Sequence, residues 1–87
     1  MKKIIMLKGD YCPYCRQAFQ FMDQLYKDHP EYRKIELTTI DEITEEMEAK
    51  KYQYRVVPTY IIDNKIVFSG IPTKENIRQV FEKAMEK

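Results

Sequence analysis

Eighty-seven residues amount to one domain with a single modest core, since a chain this short buries only about 60% of its unfolded surface. Lys and Arg total 15 against 14 Asp and Glu, and a net charge of +1 argues against a general nucleic-acid binder, which carries a basic excess. No stretch approaches the ~20 apolar residues of a membrane span, and the run over residues 4–7 is too short for a secretory signal, so the expected setting is cytoplasmic with no membrane partner.

Residues 3–8 read as the first strand. Ile4, Ile5, Met6 and Leu7 are continuously apolar instead of alternating, which suits a strand covered on both faces. A short loop over 9–11 leads to Pro13, whose missing N–H costs nothing in the first turn of a helix. That helix is expected to reach about Lys27, with Cys15, Ala18, Met22 and Leu25 on a broad apolar face, and Pro30 stops it. Residues 32–37 read as a second strand through Tyr32, Ile35 and Leu37. Thr39 and Glu42 have the spacing of a capping box, which predicts a helix over 42–51. Its stripe is thin (Ile43, Met47), so a peripheral position is expected. Residues 35–50 carry a net −5, read as a solvated helix face.

Tyr60, Ile61 and Ile62 predict a strand, Asp63-Asn64 a two-residue turn, and residues 65–69 the hairpin partner. Gly70, Pro72 and Thr73 end the sheet and open a last helix with the stripe Ile77, Val80, Phe81, Ala84 and Met85. The order β-α-β-α-β-β-α predicts an α/β fold over 1–87. Its first two strands run parallel through a right-handed crossover, and the final hairpin completes a mixed four-stranded sheet flanked by helices.

The chain has two cysteines, Cys12 and Cys15, at the junction of the first strand and helix. A cytosolic disulfide is usually transient and catalytic, and a loop this small adds little stability, so the pair reads as a redox device. Only the thiolate attacks. Cys12 lies at a helix N-terminus, where unpaired N–H groups and the positive dipole end favour negative charge, with Lys8 and Arg16 adding to it. Cys12 is expected to be the exposed nucleophile with a lowered pKa. Cys15, one turn in and facing the core, is expected to resolve the mixed disulfide. A zinc site needs four ligands, and His29 is the one strong extra candidate, a whole helix away, so no metal is expected. Pro58 lies directly before a strand. It reads either as a simple strand-entry proline or as a cis-proline that faces the cysteines and leaves the Val57 backbone free for an extended substrate.

These residues together resemble the thioredoxin-fold oxidoreductases, over nearly the whole chain. Cys12-Pro13-Tyr14-Cys15-Arg16 looks like a dithiol glutaredoxin active site, and Val57-Pro58-Thr59 falls where these families carry their cis-proline loop. The resemblance implies a substrate- or glutathione-binding set of Lys8, Tyr11, Pro13, Tyr14, Val57, Pro58, Gly70 and Thr73. The segment Ser69-Gly70-Ile71-Pro72-Thr73-Lys74 departs from glutaredoxins, which usually have Gly-Gly and an Asp here, and is more like a thioredoxin. Against thioredoxin, Tyr11 stands where a Trp is usual and Met6 where a buried Asp is usual.

The expectation is a glutaredoxin-like thiol–disulfide oxidoreductase that reduces protein or glutathione mixed disulfides, monomeric and with no tightly bound cofactor. Its electron donor is either glutathione, acting as co-substrate, or a thioredoxin reductase. In the second case the chain is a mini-thioredoxin or a reductant of ribonucleotide reductase. A different class is an iron–sulfur cluster carrier using Cys12 and glutathione, against which Pro13 argues by resemblance.

Overall fold

In the computed structural model, which describes residues 1–86, the apolar run near the start of the chain forms β1 (Ile4–Lys8). Its neighbours are β2 (Leu37–Asp41) on one side and β3 (Thr59–Ile62) on the other, and β4 (Lys65–Ser69) closes the far edge, giving the order β2-β1-β3-β4. β1 runs parallel to β2, with Leu7 opposite Ile40 and Lys8 opposite Asp41, and antiparallel to β3. The two central strands are the apolar ones because both their faces are covered. The edge strands are more exposed, with Thr38 and Thr39 open in β2 and Lys65 and Ser69 open in β4.

On one face, Ile4, Met6, Tyr60 and Ile62 pack against α1 (Pro13–Asp28) and α3 (Lys74–Met85) through Ala18, Met22, Leu25, Ile77, Val80 and Phe81. On the other face, Leu7 and Ile61 join Ile40, Ala49 of α2 (Glu46–Lys50), Val57 and the two cysteines in a second apolar cluster. The unbroken run in β1 thus serves two cores at once.

The hairpin and the last helix form where local chemistry predicts them. Asp63 and Asn64 take φ of 54° and 63°, the two left-handed residues of a primed turn whose twist matches the flanking strands. Thr73 caps α3, its side chain accepting the Asn76 N–H at 3.1 Å.

The middle of the chain differs from expectation in two places. The apolar residues Tyr32, Ile35 and Leu37 read as members of a strand over 32–37, but Pro30–Lys34 is a 3-10 helix and β2 begins only at Leu37. Pro30 suits the first turn of such a helix, and the turn drives the Tyr32 ring into the core, stacked on Phe81 at 5.0 Å between centroids. The apolar spacing came from burial against α3, not from a strand face. β2 itself is built from Thr38, Thr39 and Ile40, whose β-branched side chains fit a pleated edge. The Thr39–Glu42 capping box does not form, since Thr39 lies inside β2. A reciprocal pattern of the same kind falls two residues later, over the turn ahead of α2, whose own N-cap Glu45 has no side-chain cap bond. Asp41 Oδ1 accepts the Ile43 and Thr44 N–H groups at 2.8 and 3.0 Å, and Glu45 accepts the Asp41 N–H at 3.2 Å. The helix that follows, α2, is five residues long instead of the ten expected over 42–51.

Candidate active site

β1 delivers the chain to the site and α1 receives it. Cys12 is the N-cap of α1, in extended conformation, and its carbonyl accepts the Cys15 and Arg16 N–H groups at 3.1 and 3.3 Å. Pro13 takes the first helical position, where no N–H is required. The first turn contains no carboxylate, so the positive end of the helix is left to the sulfur.

Both cysteines are free thiols. Cys12 retains 8% exposure and Cys15 1%. Cys12 is the less buried of the two, but it is buried and not the exposed nucleophile expected. The chain segment before β3 folds over it, and its thiol donates to the Val57 carbonyl at 3.5 Å. The Cys15 sulfur accepts the Gly9 N–H at 3.5 Å. Burial pushes the Cys15 thiol up to about 11; the Gly9 N–H and the Lys8 ammonium act against this, and the neighbouring Cys12 adds to it.

The Val57–Pro58 peptide bond is cis. Among the described residues no backbone carbonyl accepts from the Val57 N–H. Pro58 is buried, its carbonyl accepts the Gly70 N–H at 3.2 Å, and Thr59 Oγ1 donates to the Val56 carbonyl at 2.5 Å. Gly70 has φ of +113°, a conformation that disfavours side chains even though a Cβ there would meet nothing within 4 Å.

Cys12, Cys15 and Val57 therefore share one apolar cluster, Pro58 follows Val57 and bonds Gly70, and Tyr11 and Tyr14 are exposed next to Cys12 in the chain. Lys8 and Thr73 are differently engaged. The Lys8 ammonium bonds Asp10 at 2.7 Å and Asp41 at 3.1 Å, and both hydrogen bonds raise its pKa. Thr73 spends its hydroxyl oxygen on the cap of α3. Asp41 has its carboxyl pulled down to about 2, first by the Thr44 and Ile43 N–H groups and then by Lys8. Met6, at the position where a buried acid was sought, is fully enclosed by apolar neighbours.

Two residues at the site carry no functional signal in the sequence, where Glu42 reads only as part of a capping box. Glu42 accepts a hydrogen bond from the Tyr11 hydroxyl and one from the Tyr54 hydroxyl, the latter at 2.7 Å. Burial, then the hydrogen bond to Glu42, raises the Tyr54 phenol to about 12.

A family model described as a thioredoxin domain matches residues 1–82. The chain belongs to the thioredoxin domain family. It is 26% identical over 83 residues to a thioredoxin of Methanocaldococcus jannaschii, covering 95% of both chains. A probable thioredoxin of Methanothermobacter thermautotrophicus is 29% identical over 75 residues, covering 86% of each. The X-ray structure of Fasciola hepatica thioredoxin superposes with a TM-score of 0.70 at 25% identity, over 95% of this chain and 80% of that one. The mixed four-stranded sheet flanked by helices is thus the thioredoxin fold, and the cysteines sit at the first strand–helix junction of that domain. Among the described residues no helix is long and apolar enough to cross a membrane.

Proposed function

We propose that this thioredoxin-domain protein reduces protein disulfides by dithiol exchange. The observation that carries the reading is the pairing of two unequal free thiols at the N-terminus of α1, with the outer one against the Val57 carbonyl. Cys12, as the thiolate, attacks one sulfur of a substrate disulfide. The substrate S–S bond breaks, an S–S bond to Cys12 forms, and the released thiolate takes up a proton. Cys15 gives up its proton and attacks the Cys12 sulfur, the second substrate thiol leaves, and the protein keeps an internal disulfide. Two electrons pass to the substrate, and a dithiol or two thiols must return them.

The substrate segment lies along the exposed Tyr11 and Tyr14 rings and pairs with the Val57 N–H, with Pro58 and Gly70 as the floor. We assign the reductant to a thioredoxin reductase. In support, the two archaeal relatives are called a thioredoxin and a probable thioredoxin, and the polar atoms of Lys8 and Thr73 already have structural partners. Recharging by glutathione is the second reading, favoured by the Cys12-Pro13-Tyr14-Cys15 tetrapeptide. A coupled NADPH assay with insulin as substrate decides the matter when run once with thioredoxin reductase and once with glutathione and its reductase. Turnover in the first alone is expected. Turnover only with glutathione reverses the assignment, and turnover in neither removes the reductase reading.

A further inference from the structure

Glu42 follows the last residue of β2, and its N–H donates to the Lys8 carbonyl at 2.9 Å. Its backbone is therefore anchored at the end of the strand that leads to the cysteines. Its carboxylate has two oxygens and two partners: Oε2 accepts the Tyr11 hydroxyl, and Oε1 accepts the Tyr54 hydroxyl at 2.7 Å. Tyr11 directly precedes Cys12. Tyr54 lies in the segment that ends at Val57, whose carbonyl accepts the Cys12 thiol. One carboxylate thus ties together the two loops that bound the outer sulfur.

The Tyr11 ring is laid back over Gly9 on its way to Glu42. A Cβ at Gly9 would stand 2.6 Å from the Tyr11 ring and 3.1 Å from Glu42 Oε2, so a side chain there would press on the ring in this placement. Yet Tyr11 keeps 62% of its surface exposed. The ring is fixed at its hydroxyl end and open along its face. Neither carboxylate hydrogen bond involves a sulfur atom, so nothing in the exchange chemistry calls for them.

We infer that Glu42 is a positioning residue for polypeptide substrates, holding Tyr11 and the segment ahead of Val57 as one preformed wall beside Cys12. The inference rests on the disulfide-reductase reading and narrows it to extended protein segments. A wall that is ordered before docking loses less conformational freedom when a substrate lies on it. A small disulfide reaches the sulfur without that wall and gains nothing from it.

The test uses the whole chain, reduced beforehand and mixed in single turnover with excess insulin or with cystine. For Glu42→Ala, the half-saturating insulin concentration is expected to rise about tenfold at an unchanged limiting rate, the size of effect a hydrogen bond to a charged group carries. The cystine rate is expected to stay within about twofold of wild type. Glu42→Gln keeps one acceptor oxygen and should fall between the two, and Tyr54→Phe, which removes one tether, should shift insulin in the same direction. Should Glu42→Ala fail to fold, these two variants carry the same comparison. Equal losses on insulin and cystine would reduce Glu42 to a structural tether, and an unchanged insulin profile would remove the inference outright. A wild-type protein inert toward both disulfides would sink the reductase reading and this one with it.

Discussion

The amide of Gly9 donates to the sulfur of Cys15 at 3.5 Å, so the residue that follows β1 holds the inner thiol by its backbone. With its thiol raised to about 11, chiefly by burial, Cys15 stays protonated at neutral pH. Iodoacetamide at neutral pH is therefore expected to alkylate Cys12 and spare Cys15. Peptide mass mapping checks this, and comparable labelling of Cys15 in the folded protein would contradict it.

Unequal thiols predict unequal mutants. Cys12→Ser should bring insulin reduction to background. Cys15→Ser should leave the first attack intact and block the second, so that a mixed disulfide with substrate accumulates on a non-reducing gel. Cys12→Ser should melt near the wild type, while Cys15→Ser, which puts a hydroxyl into the apolar cluster, should melt lower.

Gly70 is constrained by its backbone and not by crowding: its φ is +113°, and a Cβ would meet no atom within 4 Å. Gly70→Ala should cost about 1–3 kcal/mol, the range for a side chain held in a sparsely populated conformation. Urea unfolding measures it. If the chain shifts to relieve the strain, the Gly70 N–H bond to the Pro58 carbonyl goes with it, and activity falls as well.

Asp41 predicts a pH dependence with a definite sign. Its carboxyl moves from an ordinary value of 3.8 to about 2, through the Thr44 and Ile43 N–H groups first and Lys8 next. A lowered pKa means that the unfolded chain takes up the proton before the folded one does. The contribution is therefore complete above about 3.8, shrinks as pH falls, and is gone below about 2. Asp41→Asn should lower the melting temperature at neutral pH, and the gap to wild type should close across that window. A gap independent of pH would show that the charge is not what matters.

The parts of the fold that were legible in the sequence are those decided by neighbours in the chain. Pro13 at the first turn of α1, the Asp63-Asn64 turn and the Thr73 cap each act within three residues of themselves. The β2 region was misread because its strongest apolar spacing belonged to another partner. Tyr32 is buried against Phe81, far along the chain, and a ring that enters the core from a 3-10 helix leaves the same trace as a strand residue.

The sequence by itself determined the thiol pair and its place at a strand–helix junction, because both depend on residues within one helical turn of Cys12. Only the tertiary structure decided what those sulfurs face. The Val57 carbonyl is 45 residues from Cys12, and the Glu42 carboxylate is 31 from Tyr11. Both arrive through sheet register: Lys8 pairs with Asp41, which sets Glu42 beside Gly9, and β3 pairs with β1, which brings the chain before it over Cys12. Register is a property of several strands packed together, and no local spacing carries it.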